Sequence, residues 1–500
     1  MLTGSGSPKT ESKRQLVSDS IATGLFFALV LTVGQRVIGF GRGILFCRLM
    51  TDQQLGQWSM VWSYLMLLAP LAVLGLPGCF GKYSEYYRQR GQLRTFVFRI
   101  AWISAITTCL LATLIFLFPE TVSWILFRDT TQASLTRWIA VALVFVTASN
   151  FLSCLMESLR QVRTVTLMRF LTGVVFAIAG VGLLYATASG STATTIGFSV
   201  ACLVGSVPAV WILWRYRDTF THSGDQLTHR SMWQKIAPFA IWLWAANLLN
   251  NLFEVSDRYM LIHWSNTSPE LAQGSVGQYH SGRVVPLLLV SVAAMLASLL
   301  MPYMSEAWES GKKAVAQRQL NWTVKLVSLG FTVGGVLILM LSPILFDTIL
   351  QGRYNDGLAV LPLTLVYCIW FSLHTVGQDY LWVAEKGKWA TAATGIGLIV
   401  NLAMNVILIP WLGLMGAVMA TAAGNIVIVL AMFTLNHLFG CKTDLGIWLS
   451  AAMPLILLLG TWPAAFAAGV LALVCFGTNW VFTADEKADV YRIVREKLSR

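Results

Sequence analysis

Apolar runs about 20 residues long recur from one end of this chain to the other, parted by short polar stretches. At 1.5 Å of rise per residue, a helix of that length crosses a hydrocarbon core about 30 Å thick. The pattern predicts six helices over Ile21–Cys47, Trp58–Phe80, Phe96–Phe118, Trp138–Leu159, Val165–Tyr185 and Thr195–Trp214. A second six follow over Ile236–His263, Val284–Met304, Val324–Leu350, Leu358–Val383, Trp389–Leu412 and Leu414–Leu435. A final pair, Leu445–Leu459 and Ala464–Phe482, turns at Gly460-Thr461-Trp462-Pro463, and each half only just reaches spanning length. The expected fold is an all-α integral membrane protein of about 14 transmembrane helices, or about twelve if the last pair does not span.

The seventh segment breaks its own pattern. Asn247, Asn250, Asn251, Glu254, Asp257 and Arg258 interrupt Ile241, Leu243, Ala245, Leu248, Leu249, Leu252 and Phe253. At about 100° per residue, Asn247, Asn250, Asn251, Glu254 and Arg258 share one helix face, with Asp257 on its edge. Charged groups at bilayer depth are costly and usually face a bundle interior or a wet cavity. A polar patch that glues two helices together is the plainer alternative, although three amides and three charges on one helix exceed what glue requires.

The chain also repeats itself. Leu55-Gly56-Gln57-Trp58 is echoed by Val276-Gly277-Gln278-Tyr279, and Ser84-Glu85 by Ser305-Glu306 at the same separation. Gly197, Ala201 and Gly205 are echoed by Gly416, Ala420 and Gly424, each set four residues apart, the spacing that lets helix backbones approach closely in lipid. Both halves begin on the same side, so the repeats are parallel and related by an axis along the membrane normal, with substrate expected between them near midplane. The organisation read from this is a lead (1–20), an N-terminal six-helix lobe (21–214), a linker (215–235), a C-terminal six-helix lobe (236–435), a helix pair (445–482) and an amphipathic tail (483–500). The first helix of each lobe faces the cavity, which adds Arg36 and Arg42 to the seventh-segment ladder. Two registers stand open: a gap of about five residues sets Arg42 opposite Arg258, and no gap sets Arg36 opposite Asp257. Arg283, just inside the eighth helix, is a further candidate, with a snorkelling interface residue as its alternative. Arg48 reads as an interface residue, Glu157 and Asp379 as local ion pairs with Arg160 and Lys386, and His374 as a hydrogen-bonded packing residue.

Composition and charge sharpen the class. The chain is 56% hydrophobic and 12% charged, against about 25% charged in soluble proteins. The net charge of +12 does not point to nucleic acid. Lys and Arg concentrate in alternate loops, around Lys82–Arg94, Arg160–Arg163, Arg215–Lys235, Lys312–Lys325 and Lys386–Lys388, and at both ends. The positive-inside rule then sets both termini in the cytoplasm, with an even helix count and Ser265–Gln278 outside; contact with anionic inner-leaflet lipid follows from the same residues. Ile21–Cys47 is too long for a signal-peptide core and carries Arg36 and Arg42, so it reads as a retained helix. The eight cysteines are scattered and lack a C-x-x-C pair, which suggests neither a disulfide framework nor a metal site. Asn266-Thr267-Ser268 is a formal glycosylation sequon on an outward loop. From Val490 the tail has apolar residues at helical spacing, and its removal after Thr483 is expected to be harmless.

Several short stretches resemble one family. Phe46–Gly56, with Arg48-Leu49 and Gly56, resembles the end of the first helix in polysaccharide biosynthesis proteins, the O-antigen (Wzx-type) flippases; Gly75-Leu76-Pro77 resembles their second-helix end. Asp257–Leu261, Val276–Tyr279 and Arg283 resemble a third motif, and Gly352-Arg353-Tyr354 with Asn401, Asn405, Ile409-Pro410 and Gly416-Ala417 a fourth. The likeness runs from about Ile21 to Leu435. It implies the multidrug/oligosaccharidyl-lipid/polysaccharide superfamily, two six-helix lobes around a central cavity, and transport of a polyprenyl-diphosphate-linked oligosaccharide to the outer leaflet of the cytoplasmic membrane. The partners so implied are that lipid-linked sugar, membrane lipid and other polysaccharide assembly proteins, with no nucleic acid and no cofactor. Arg36, Arg42, Arg258 and Arg283 would meet diphosphate, Asn247, Asn250 and Asn251 sugar hydroxyls, and Glu254 or Asp257 a coupling cation.

Rival classes fare less well. A cation-coupled multidrug antiporter of the same superfamily would want acidic groups where the first helix has Gln35, Arg36 and Arg42. A membrane enzyme of polysaccharide assembly would need catalytic groups on an outward loop, and the longest, His263–Gly282, holds only Glu270 and His280 within it. An ATP-driven pump would need a phosphate-binding G-x-x-x-x-G-K-[ST] loop, and the sequence has none.

Overall fold

The computed structural model describes residues 21–187, 189–216, 227–484, 486 and 487; of these, the side chains of residues 21–29 and of Trp242, Leu243, Ala246 and Asn250 lie outside the description. The lead and the amphipathic tail from Val490 fall outside the described residues. The N-terminal lobe comprises α1 (Ile21–Leu49), α2 (Asp52–Ala72), α3 (Phe80–Gln89), α4 (Leu93–Leu117), α5 (Pro119–Phe127), α6 (Ala133–Ser158), α7 (Val162–Ala186) and α8 (Gly190–Arg215). The C-terminal lobe comprises α9 (His229–Trp264), α10 (Pro269–Arg283), α11 (Pro286–Glu309), α12 (Lys313–Pro343), α13 (Asn355–Gly377), α14 (Asp379–Val383) and α15 (Gly387–Leu438). Helices α16 (Leu445–Ala452) and α17 (Thr461–Gly477) pack on α12. Nine helices among the described residues are long and apolar enough to cross a membrane. One of them, the 52-residue α15, is two of the predicted segments, folded back on itself at Gly413, whose φ of 54° and ψ of −124° suit a residue without a Cβ. A tenth candidate span, outside those nine, is bent by 62° where α2 gives way to the segment from Leu76.

Two predicted boundaries are wrong for one reason. The second helix begins at Asp52 rather than Trp58, and most of His263–Gly282, read as an outward loop, lies in α10 (Pro269–Arg283). Their polar and glycine residues looked like solvent-facing sequence, but Gln57, Gln273, Gly277 and Gln278 are buried where α2 crosses α10. A Cβ on Gly56 would lie 1.8 Å from the Gln273 carbonyl oxygen, and one on Gly277 would lie 1.9 Å from that of Asp52. These contacts are two-fold equivalents: each repeat's glycine sits on the backbone four residues ahead of the other's. Gln57 donates to Gln273 Oε1 at 2.9 Å, and Gln273 in turn donates to the Phe127 carbonyl at 2.9 Å. Helix α2 starts with a capping box, Thr51 Oγ1 accepting from the Gln54 amide and the Gln54 side chain from that of Thr51.

The second echo is built the same way. Gly205 rests on the Met168 carbonyl and Thr172, and Gly424 on the Gly397 carbonyl and Asn401. Glycine-mediated crossings therefore fasten helices within each lobe as well as between lobes. At the end of the molecule bearing the sparsely charged loops, Tyr354 donates to the Cys47 carbonyl at 2.9 Å and Arg353 to that of Arg48 at 3.2 Å. At the basic end, Tyr83 donates to the Lys235 carbonyl at 3.2 Å and Lys82 lies over the Phe239 ring.

Three local expectations are corrected. Glu157 pairs with Arg169 of α7 at 2.5 Å instead of Arg160, which has left-handed backbone where α6 ends. Asp379 is buried with Oδ2 unpartnered, while Lys386 lies over the Phe439 ring. The tail is not separable after Thr483: Glu486 is buried and accepts from Lys325 at 2.9 Å, and Asp444, the N-cap of α16, accepts from the same ammonium at 2.5 Å.

Candidate functional site

The ladder of α9 is divided between two environments. Asp257 turns into its own lobe, where its carboxylate accepts from Asn401 at 2.9 Å, Asn405 at 2.8 Å, Thr421 at 2.5 Å and Tyr279 at 3.2 Å. Four donors from α10 and both arms of α15 thus hold one carboxylate, and no ion pair to Arg258 is formed. Arg258, 5% exposed, turns the other way and donates to Ser63 Oγ of α2, across the lobe boundary.

Arg258 has company. The guanidiniums of Arg258, Arg283 and Arg42 all lie within electrostatic reach of the His280 imidazole, and Glu254 within reach of both Arg258 and Arg283. Helix α1 delivers Arg42 by packing on α7, where its guanidinium lies 4.1 Å from the Phe176 ring centroid. Arg283 lies 5.1 Å from the Tyr279 ring centroid. The Nε atoms of Arg258 and Arg283 are buried without a hydrogen-bond partner.

Helix α1 ends seven residues before Gly56 and α9 ends thirteen before Gly277. The helix ends give a gap of six residues, one more than the gapped register, so that Arg42 stands at the position of Asp257 rather than Arg258. Arg36 is exposed on a different side of α1, and no contact joins it to the cluster. Asn247 is also exposed and away from the carboxylate cradle; Asn251 and Glu254 line a hollow inside the C-terminal lobe; the Asn250 side chain lies outside the description. That hollow, about 460 Å³, runs between α9, α11, α13 and α15 and is also lined by Asp257, Arg283, Tyr367, His374, Gln378 and Asn425. His374, expected to be hydrogen bonded, has no partner on either ring nitrogen.

The sequence reading overlooked Tyr279, Ser63, Thr421 and Asn425 as site residues, and gave Asn401 and Asn405 no role. The signal was available. Asn401 with Asn405, and Thr421 with Asn425, are polar pairs four apart on otherwise apolar helices, the same anomaly that marked the ladder.

The comparisons with known proteins follow this geometry. A family model described as "Polysaccharide biosynthesis protein" matches residues 21–308. The chain belongs to that family. An uncharacterised membrane protein of Bacillus subtilis (strain 168), YabM, is 26% identical over 247 residues, 47% of this chain and 46% of that protein. The lipid II flippase MurJ of the same organism is 30% identical over 144 residues, 28% of this chain and 26% of that protein. The chain thus spans about half the length of the first of these relatives and about a quarter of the second. Among solved structures, a lipid II flippase MurJ in an inward closed conformation aligns with a TM-score of 0.64 at 13% identity, covering 91% of this chain and 98% of that one. An inward-facing multidrug resistance MATE family transporter aligns with a TM-score of 0.63 at 13% identity, covering 81% and 94%. The family's fold here is that of the MOP superfamily.

Proposed function

We propose that this protein moves a polyprenyl-diphosphate-linked oligosaccharide across the cytoplasmic membrane by alternating access of its two lobes, with both termini in the cytoplasm. The observation that carries the reading is geometric: Arg258 is buried and reaches across the lobe boundary to Ser63, its Nε and that of Arg283 are buried without a partner, and Arg42 of the other lobe stands over Phe176. Desolvated cations packed together are costly unless an anion joins them. A diphosphate supplies the missing charge, and guanidinium forks match phosphate oxygens in geometry. The lipid tail stays in the bilayer while the headgroup occupies the space between the lobes.

Asp257 is the coupling carboxylate in this reading. Its cradle of amides, a hydroxyl and a phenol holds a charge in place of a partner cation, so a proton or sodium ion arriving there would displace donors and loosen α9 from α15. A cation-coupled drug antiporter is the second reading, favoured by that same cradle. It is opposed by the arginine cluster, which would repel a cationic drug.

The test neutralises the arginines one at a time. Gln keeps hydrogen bonding without charge and Lys keeps charge without the planar fork. Arg42→Gln, Arg258→Gln and Arg283→Gln are expected to cause lipid-linked oligosaccharide to accumulate on the cytoplasmic side at normal protein abundance, with Lys partly functional and Arg36→Gln near wild type. Normal export by abundant Arg258→Gln and Arg42→Gln proteins would leave only the fold.

A further inference from the structure

We infer that the hollow inside the C-terminal lobe is a saccharide subsite, in which His374, Gln378 and Asn425 select the sugar joined directly to the diphosphate. The inference rests on the lipid-linked oligosaccharide reading above and names the part of the substrate that this lobe reads.

Continuity places a sugar there. Arg283, one of the three seam guanidiniums, also lines the hollow, together with Tyr367. From Tyr367 the α13 helix runs seven residues to His374, about 10 Å deeper. A group covalently next to a diphosphate held at Arg283 therefore has this space open to it. Its volume of about 460 Å³ lies within the roughly 300–1,000 Å³ usual for small-molecule sites.

The lining argues for a neutral polyol. His374 is 7% exposed, and neither of its ring nitrogens meets a protein partner. Asn425 is 1% exposed; its amide nitrogen donates to the Thr421 carbonyl at 2.8 Å, and its oxygen is unpartnered. Buried polar groups without partners are rare in native proteins and call for an explanation. Here both line one hollow, beside the aromatic edge of Phe371, whose ring centroid is 5.9 Å from that of His374. An acceptor oxygen, an imidazole that donates and accepts, the Gln378 amide and an aromatic wall make a set suited to sugar hydroxyls. A site built to hydrogen-bond a hydroxyl discriminates strongly against ligands that lack it. The charged groups, Arg283, Glu254 and Asp257, line the same hollow and mark where the diphosphate binds and where coupling acts.

The experiment uses the full chain in lipid nanodiscs and two kinds of probe. One is undecaprenyl diphosphate. The others are undecaprenyl-diphosphate-linked N-acetylglucosamine, glucose and galactose, each with a single sugar. Wild type is expected to bind one of the glycosylated probes at least about tenfold more tightly than the bare diphosphate, a decade of affinity being about 1.4 kcal/mol. His374→Phe and Asn425→Leu should abolish that preference and leave the affinity for the bare diphosphate within about twofold, whereas Arg283→Gln should weaken both. Gln378→Ala, at a half-buried position, should reduce the preference with no change in melting temperature. If wild type binds neither kind of probe, the lipid-diphosphate reading itself fails and takes this inference with it. If it binds all four probes equally, or if the folded His374 and Gln378 variants keep the full preference, the saccharide subsite is wrong and the flippase reading stands. A loss of sodium or proton dependence in those variants, with the sugar preference intact, would make the hollow an ion route instead.

Discussion

Substituting Gly277 by alanine puts a single methyl group into the close crossing of α2 and α10 that joins the lobes. Its Cβ would stand 1.9 Å from the Asp52 carbonyl oxygen, where real Cβ contacts essentially never fall below 3.0 Å. Helices α2 and α10 must therefore part by more than about 1 Å, a gap that already forfeits a quarter to a half of each dispersion contact across the crossing. The strain of such overpacking is about 1–3 kcal/mol, equivalent to a shift of roughly 5- to 150-fold away from the closed seam. Gly56→Ala makes the equivalent clash with the Gln273 carbonyl at 1.8 Å. One separation relieves both clashes, so the double variant should cost much less than the sum of the singles, by a coupling of about 0.5–3 kcal/mol. The assay is disulfide formation in a cysteine-free background between Asp52→Cys and Gly274→Cys. The Asp52 carboxylate carbon lies 3.5 Å from where a Gly274 Cβ would be, so the parent should cross-link readily. Gly277→Ala should slow cross-linking by about fivefold or more, and adding Gly56→Ala should slow it little further. Unchanged cross-linking in the single variant, or strictly additive slowing in the double, would refute the shared crossing.

Lys325→Met leaves Asp444 and Glu486 facing each other without their ammonium, at a cost of about 3–5 kcal/mol, read as a fall in melting temperature. Truncation after Thr483 should lower the melting temperature in the same direction by removing Glu486. For topology, a membrane-impermeant maleimide applied from outside should label Ser268→Cys but not Gly311→Cys in a cysteine-free background; the reverse pattern would invert the charge-based orientation.

Much of the fold was legible because lipid is an undemanding solvent to read: about 20 apolar residues mean a span, and the predicted spans fall mainly on helices, although two of them share α15 and the last runs past the end of α17 at Gly477. The failures cluster where helix surfaces are buried in protein. At the start of α2 and throughout α10, glutamines and glycines face a partner helix, so hydropathy reads them as water-exposed. No local pattern distinguishes a glutamine that donates to Phe127 from one that meets solvent. The site was legible in part for a related reason. Periodicity showed that α9 carries an unusual load of polar groups, which the structure divides between two environments. It set Asp257 at an edge, because which side of α9 the α15 hairpin covers is a tertiary fact. Arg36 and Arg42 were indistinguishable by residue type; the length of the α9–α10 connection decided between them.

The repeat conserves backbone crossings while dividing the chemistry. Gly56 and Gly277 occupy equivalent crossings, so Trp58 and Tyr279, two residues on, hold equivalent positions. Gly205 rests on Met168 and Thr172 as Gly424 rests on Gly397 and Asn401, which makes Phe176 the counterpart of Asn405. Arg42 and Asp257 each lie seven residues before the end of their helix. The N-terminal lobe thus has Arg42 over Phe176, itself packed against Trp58 with ring centroids 5.4 Å apart. The C-terminal lobe has Asp257 held by Asn405 and Tyr279 at the same places. A guanidinium over a ring keeps the N–H groups at its edge free for an anion. A carboxylate held by four donors has its acceptor sites occupied, and a cation binds it only by displacing them. Equivalent positions in one fold therefore present a guanidinium over an aromatic ring on one side and a donor-held carboxylate on the other. In the proposed mechanism the N-terminal lobe contributes only Arg42 to the anionic headgroup, whereas the C-terminal lobe contributes Arg258 and Arg283 as well as the coupling carboxylate, so a relative movement of the lobes would separate Arg42 from the rest.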